Sequence, residues 1–259
     1  MTRFVVRWAV AMAVLSFPAS AWAQGYDTPD GHSWHRYSER RVESPQSYAF
    51  EVRFGPYEPL IDDEFGGTGP YHEVFGDDRR WFIGVELDYQ MLRIPHFGSV
   101  GPGFSWGYTS MSANAKLTGQ DAYSAEETTL WIMPMYVVGV LRVDVFANDL
   151  GIPLVPYVKA GLGYALWKTS DGLGTSTYPS GDGDVEGKGR SYGWHFAPGI
   201  MLQLDSFDRH AARQLDNSVG VNHSYFFLEW MRSELDGFGA GDQLRVGTST
   251  WATGLAFEF

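Results

Sequence analysis

The chain contains segments in which the side chains alternate between two contrasting faces. The alternation is clearest in the last nine residues, WATGLAFEF. Because successive side chains of a β-strand point to opposite faces, this segment predicts a strand with one bulky, uncharged face and one face of small and charged residues. The bulky face carries Trp251, Thr253, Leu255, Phe257 and Phe259, and the other face carries Ala252, Gly254, Ala256 and Glu258.

Seven segments alternate in this way with a clear parity, and an eighth, at 128–146, is apolar on both faces. The bulky face of the seven carries no Asp, Glu, Lys or Arg. The fold predicted from this pattern is all-β, an eight-stranded antiparallel up-and-down transmembrane β-barrel. The other six clear segments lie at 48–55, 81–91, 100–109, 154–166, 192–204 and 225–230.

A soluble barrel is the alternative, and it would carry polar residues on its outward positions. Uncharged large residues suit lipid instead, where a Lys or Arg at the bilayer midplane costs about 2–4 kcal/mol. The connections also alternate in length, as they do in outer-membrane barrels. We expect long loops at 58–79, 112–127, 168–190 and 233–246, and shorter turns at 92–99, 146–153 and 206–220, the last with a helical turn in DRHAARQLD.

The N-terminus has the pattern of a cleaved export signal over residues 1–23. Arg3 and Arg7 precede an apolar run, and Ala21-Trp22-Ala23 forms an A-x-A cleavage site. Residues 24–46 are polar and without a clear period, which predicts a flexible periplasmic leader. Residues 47–259 are then the outer-membrane barrel, a single domain.

Charge and composition exclude several functions. Without the signal peptide the chain carries 17 basic and 31 acidic residues, a net charge of −14, which argues against nucleic-acid binding. The chain contains no cysteine, so no disulfide framework is possible. After the signal peptide there is no run of about 18–20 apolar residues, so we expect any crossing of a membrane to be made by strands.

The charged residues of the inward face are the first candidate site. Buried charges persist when they are paired, so we expect ion pairs that fill a narrow lumen, with Glu51 and Arg53 near Glu258. The predicted lumen charge network comprises Glu51, Arg53, Glu86, Asp88, Arg142, Lys159, Glu229 and Glu258.

Four prolines conflict with the predicted strands. Pro102, Pro134, Pro156 and Pro198 lie inside them, and a closed barrel has no edge strand at which a missing N–H can face solvent. We therefore expect β-bulges at these prolines, with local shifts of parity.

The span from about Ser47 to Phe259 resembles small eight-stranded outer-membrane proteins such as the OmpA membrane domain and OmpX. Four stretches are also similar to a family of outer-membrane barrels from myxobacteria and their relatives. This resemblance implies a fold and an outer-membrane location, and it implies no reaction. The four stretches are FGPYEPLIDDEF, GIPLVPYVKAGLGYALW, APGIMLQLD and GVNHSYFFLEW.

The closing strand also resembles the terminal signal by which outer-membrane barrels are recognised for assembly. Trp251, Leu255, Phe257 and Phe259 are its candidate residues. The partners implied are outer-membrane lipid and lipopolysaccharide, the barrel-assembly machinery and no nucleic acid, and we expect a monomer.

Several motifs carry weaker signals. Asp182, Asp184 and Glu186 overlap the start of a calcium loop, but its twelfth position is Gly193 rather than a bidentate Glu. The acids of IDDEF and FGDD lie on a predicted loop, where solvent screens them.

His195 and His72 are the candidates for an outer-membrane hydrolase, yet no G-x-S-x-G motif accompanies them. We predict no catalytic residue, no metal and no cofactor.

Three functions remain open, in decreasing order of expectation. The first is a structural or surface-interaction role, with a lumen largely filled by ion pairs and acidic extracellular loops. The second is a narrow channel for ions or small solutes, and the third is an outer-membrane enzyme that cleaves lipid or peptide.

Overall fold

A computed structural model of the chain describes residues 47–66, 69–76, 79–116, 123–171, 174–180, 183–207, 209–241 and 243–259. The predicted signal peptide (1–23) and leader (24–46) lie outside these residues and stay predictions. Eight long strands make up the main sheet: β1 (Tyr48–Tyr57), β2 (Arg80–Tyr89), β3 (Gly98–Lys116), β4 (Tyr123–Val143), β5 (Leu154–Asp171), β6 (Lys188–Gln203), β7 (His223–Leu235) and β8 (Thr248–Glu258).

The sheet closes on itself. Each of the eight strands pairs in antiparallel fashion with the strand before it and the strand after it. The first and last strands complete the ring, because Phe50 of β1 lies opposite both Leu87 of β2 and Phe257 of β8. The predicted fold class, an eight-stranded antiparallel up-and-down barrel, is confirmed.

The two faces of the wall differ as the alternation predicts. In β2, Trp81, Ile83 and Leu87 are exposed on the outside, whereas Phe82 and Glu86 are buried inside. The sequence did not predict which residues of β4 face inward, since this strand is apolar on both faces. The structure directs Ile132, Tyr136 and Arg142 of β4 into the lumen and exposes Val137 outside.

The strand prolines are accommodated mostly without bulges, so that expectation is wrong at three of the four. The register is unchanged across Pro134, Pro156 and Pro198. Beside Pro102 the register along β3 shifts by one residue between its pairing with β2 and its pairing with the short strand Leu92–Ile94, but the parity of β3 does not change. Each proline is paired with only one of its two neighbouring strands. A proline lacks only its backbone N–H donor. It is therefore accommodated when it is left unpaired with one neighbouring strand, without the extra residue of a β-bulge.

The connections define two ends of the barrel. We call the end with connections β1–β2, β3–β4, β5–β6 and β7–β8 the loop end, and the opposite end, where Ser47 and Phe259 lie, the turn end. The expected loop at 112–127 is wrong in extent, because β3 runs to Lys116 and β4 starts at Tyr123. Short strands at Leu92–Ile94 and Gly174–Thr175 pair in antiparallel fashion with β3 and β5, and Thr177–Ser180 pairs with Gly183–Glu186.

Short helices occupy several connections. A 3₁₀ helix (Leu60–Phe65) and α1 (Pro70–Phe75) lie at the loop end. At the turn end are α2 (Val145–Asn148), a 3₁₀ helix (Leu204–Ser206) and α3 (Arg209–Val219), the last being the expected helical turn. Among the residues that the structure describes, no helix has the length and hydropathy needed to span a membrane.

The loop half of the lumen is filled by an apolar core that two loops complete. Ile61 and Tyr71 from the β1–β2 connection pack against wall residues such as Phe82 and Met231. Val246 from the β7–β8 connection joins them, and its carbonyl accepts a hydrogen bond from the Tyr57 hydroxyl at 2.5 Å. The backbone N–H of Leu60 donates to Gly247 O at 2.9 Å. These two loops therefore close over the loop end, and we call this filling the apolar plug.

Glycines on the inward face allow close packing of the wall. A Cβ atom built on Gly254 of β8 would lie 1.9 Å from the Val52 carbonyl oxygen and 2.8 Å from the Phe227 ring. Neither neighbour has open space to retreat into, because the oxygen belongs to the adjacent strand and the ring is buried. Gly139 of β4 is different, since its Cβ would meet only one atom, 3.8 Å away.

We predict that Gly254→Ala lowers the free energy of unfolding by about 1–3 kcal/mol through overpacking. Gly139→Ala is the matched control and should change it by no more than about 0.5 kcal/mol, because its site is open. Urea unfolding in detergent, followed by tryptophan fluorescence, measures both changes. Equal effects of the two substitutions would contradict the close packing at Gly254.

Candidate functional site

The structure places all eight residues of the proposed network inside the barrel. Two come from β1, two from β2 and one each from β4, β5, β7 and β8, and all are buried. They occupy inward positions because their strands keep strict alternation from one end to the other. We call this set the lumen network: Glu51, Arg53, Glu86, Asp88, Arg142, Lys159, Glu229 and Glu258.

Glu51 is the centre of the lumen network, because its carboxylate contacts all three cationic side chains. Oε2 lies 2.7 Å from an Arg53 guanidinium nitrogen and 2.6 Å from Lys159 Nζ. Oε1 lies 2.8 Å from an Arg142 guanidinium nitrogen. One carboxylate thus connects β1 with β4 and β5, two strands across the barrel.

Arg53 and Lys159 share a second and a third carboxylate. Glu86 lies 2.8 Å from the Arg53 guanidinium and 2.5 Å from Lys159 Nζ. Glu229 lies 3.0 Å from Arg53 and 3.6 Å from Lys159. Each cation is therefore held by three acids, which come from β1, β2 and β7.

Arg142 extends the lumen network towards the turn end. Its guanidinium contacts Asp88 at 2.5 Å and Glu258 at 3.3 Å, as well as Glu51. Glu258, which was expected near Glu51 and Arg53, is joined to Glu51 through this arginine.

Neutral donors complete the site, and they were not among the predicted site residues. Tyr157 Oη donates to Glu229 at 2.9 Å, and Tyr225 Oη donates to Glu258 at 2.9 Å. Gln90 Nε2 also donates to Glu258, at 2.7 Å. The sequence did contain a signal for the two tyrosines. Tyr157 lies two residues before Lys159 and Tyr225 lies four residues before Glu229, and an even spacing along a strand places both tyrosines on the inward face. Sequence reasoning considered charges alone and missed these hydroxyl and amide donors.

The lumen network has more acids than bases, with five carboxyl groups facing three cations. Glu51, Glu86 and Asp88 each place one oxygen within 4.8 Å of the others, a spacing that a metal ion can bridge. The side chains of Lys159 and Arg142 already contact oxygens of these acids, so the protein supplies positive charge to the cluster itself. Buried ions of this kind are stable only while every partner is present.

His195 lies at the boundary between the lumen network and the apolar plug. It is 2% exposed and stacks on the Tyr136 ring, with a centroid separation of 4.0 Å. Neither ring nitrogen has a hydrogen-bond partner within the described part of the chain. His72, the other histidine considered for hydrolysis, lies in α1 at the loop end, where its backbone N–H donates to Asp62. A general base needs a partner that orients it, and the structure shows no such pairing for His195 within the described ranges.

The acidic motif of the β5–β6 connection is only partly described. Asp184 and Glu186 lie exposed on a short strand, Gly183–Glu186, and Glu186 forms an ion pair with Lys188. Asp182 lies outside the described residues. Strand geometry at Asp184 and Glu186 differs from the looped backbone of an EF-hand site.

A cavity of about 160 Å³ opens at the turn end below Arg142 and Glu258. Asp144, Gln203 and His223 also line it. Beside it, Asp205 accepts a hydrogen bond from His223 Nδ1 at 2.6 Å and from Ser224 Oγ at 2.9 Å. Partial burial acts to raise the pKa of Asp205, but these hydrogen bonds outweigh it and hold the pKa below its ordinary value. The pair fixes the turn after β6 against the start of β7.

Comparisons with solved structures return small outer-membrane barrels. OprG of Pseudomonas aeruginosa is 10% identical, with a TM-score of 0.47, over 83% of this chain and 96% of that one. Ail of Yersinia pestis, solved with the heparin analogue sucrose octasulfate, is 12% identical, with a TM-score of 0.43, over 83% and 97%. The N-terminal barrel of P. aeruginosa OprF is 12% identical, with a TM-score of 0.39, over 83% and 98%.

No protein-family model and no curated protein matches this sequence. At these identities and TM-scores, the assignment of the fold rests on the strand pairing of the chain itself. The similarity to the myxobacterial family stays a prediction.

We predict that Lys159→Met lowers the free energy of unfolding by about 3–5 kcal/mol, because it leaves buried carboxylates without their shared cation. Lys188→Met is the matched control, since the ion pair between Lys188 and Glu186 is about half exposed and should contribute less than about 1 kcal/mol. Urea unfolding in detergent micelles compares the two variants. Similar small losses would show that the lumen network does not hold the strands together.

Proposed function

We propose that this chain is an outer-membrane barrel with a structural or surface-interaction role, whose filled lumen acts as a rigid support for acidic loops. The turn end faces the periplasm and the loop end faces the outside. The proposal joins three features of the molecule: an apolar exterior, a filled interior and an acidic loop end.

The exterior supports a location in a membrane. Large apolar side chains are exposed on the outward positions of the strands, among them Trp81 at 73% and Leu162 at 64%. Soluble monomers rarely expose contiguous apolar patches of more than a few hundred Å², whereas lipid covers such a band. The ionic side chains lie inside, where they cannot meet acyl chains.

The filled lumen is the observation that carries the proposal. The lumen network occupies the half nearer the turn end, and the apolar plug occupies the loop half. Eight strands leave an interior just wide enough for side chains to fill. A lumen filled in this way supports a mechanical role more directly than it supports transport.

The loop end is the proposed interaction surface. Its four connections carry 13 Asp and Glu residues and only two Arg or Lys residues, whereas the three at the turn end carry five acids and three bases. Asp63, Glu64 and Glu73 are exposed on the first loop. Such a surface favours cationic partners, or divalent ions that bridge to lipopolysaccharide phosphates.

The closing strand supports a second part of the proposal, which is recognition by the barrel-assembly machinery. Trp251 and Leu255 are exposed on the outer face of β8, Phe257 lies on the same face, and Phe259, which follows the strand, is also exposed. We also propose that the barrel works as a monomer, since each strand already has both pairing partners within the chain.

We predict that the wild-type protein, inserted in a planar bilayer, shows no conductance steps, because the apolar plug and the lumen network close the path. Flotation with lipid vesicles is the control that insertion has occurred. Regular single-channel steps from the wild type would favour the narrow channel instead. Loss of those steps in Glu51→Ala or Arg53→Ala would then place the lumen network in the ion path.

The channel is the second candidate, and one observation favours it. The cavity at the turn end is lined by Arg142 and Glu258, so it reaches the edge of the lumen network. A pathway would still require the apolar plug to move, and the hydrogen bonds from Tyr57 to Val246 and from Leu60 to Gly247 to break.

A further inference from the structure

Two neighbouring turns at the turn end expose an apolar surface that the barrel wall itself does not explain. They are the β2–β3 turn and the β4–β5 turn, and seven of their large apolar side chains, Met91 among them, are 37% exposed or more. We call this surface the apolar collar, and its residues are Met91, Leu92, Ile94, Phe97, Phe146, Leu150 and Ile152.

The two turns are joined to each other. The backbone N–H of Asp144 donates to Phe97 O at 3.1 Å, and His96 Nδ1 lies 3.1 Å from Asp149 Oδ2. Within the second turn, the N–H of Ile152 donates to Phe146 O at 2.8 Å. The apolar collar is therefore one surface supported by backbone hydrogen bonds.

The apolar collar continues the outer face of the barrel. Leu92 lies opposite Val100, an outward residue of β3, and Ile94 lies opposite Gly98. Residues opposite each other in a strand pair share a face, so Leu92 and Ile94 extend the lipid-facing band beyond the end of β2. Three added residues lengthen the wall by about 10 Å at roughly 3.3 Å per residue.

Each turn also has a polar side that faces the cavity. Arg93, between Leu92 and Ile94, lies opposite Ser99 and lines the cavity with it. In the second turn, Asn148 lines the cavity, whereas Phe146 and Leu150 are exposed and do not line it. This division into an apolar side and a polar side is typical of segments that lie at a membrane interface.

We propose that the apolar collar inserts into the inner leaflet of the membrane and anchors one sector of the barrel more deeply than the rest. The inference rests on the proposed membrane location. Its occupant is the acyl and glycerol region of phospholipid, because the surface is continuous with the lipid-facing band. The polar pair of His96 and Asp149 stays at the level of the lipid headgroups and limits the depth of insertion.

Single-cysteine variants test this proposal cleanly, since the chain has no cysteine of its own. Leu150→Cys reports on the apolar collar, and Asn148→Cys, in the same turn but on the cavity side, is its matched control. Leu162→Cys reports on the lipid-facing band of β5. Each variant carries an environment-sensitive fluorophore and is reconstituted in phosphatidylcholine vesicles, with or without spin-labelled phosphatidylcholine as a quencher.

We predict that the probe at position 150 emits at shorter wavelength than the probe at 148 and loses most of its intensity to the spin-labelled lipid, as the probe at 162 does. If only the probe at 162 is quenched, the apolar collar lies in water and the inference is wrong, while the membrane location stands. A probe at 150 that lipid does not quench, and whose emission shifts with protein density, would mean that a second copy covers the surface, which also overturns the inference. If the probe at 162 is not quenched, the proposed membrane location fails.

Discussion

The contact between Glu51 and three buried cations is the interaction on which the rest of the structure depends. Arg53, Arg142 and Lys159 come from three strands and meet at this one carboxylate. Buried charges are costly unless they are paired, so these side chains favour a ring in which all of them face inward together. The same arrangement leaves the outer face free of charge over most of its height, which is the property that lipid requires.

The lumen is divided into two halves with different chemistry. Ion pairs and tyrosine hydroxyls, with a smaller apolar cluster around Phe227, join the strands in the half nearer the turn end, and aromatic and aliphatic packing joins them in the loop half. His195 stacks on Tyr136 where the two halves meet. A lumen filled in this way is consistent with the proposed role of the barrel as a rigid support for its loops.

Much of this architecture follows from the two-residue alternation of side chains along the sequence. Strict alternation in seven segments was enough to predict which residues face inward, Glu51 and Lys159 among them. The parity of β4 was not predictable, because Ile132 and Tyr136 line the apolar plug and make the inward face as apolar as the outer one. The closure of the loop end depends on contacts such as that between Tyr57 and Val246, 189 residues apart, which no local pattern encodes. The tyrosine donors were not predicted, because the lumen site residues were selected by charge and a tyrosine hydroxyl is neutral.

Electrophoretic mobility of the unheated barrel tests the central claim most directly. The account predicts that the detergent-folded chain migrates differently before and after boiling, because a closed barrel with a paired interior stays folded in the gel until it is heated. Identical migration of the two samples, together with recovery of the mature chain from the aqueous phase without detergent, would contradict a closed barrel that faces lipid.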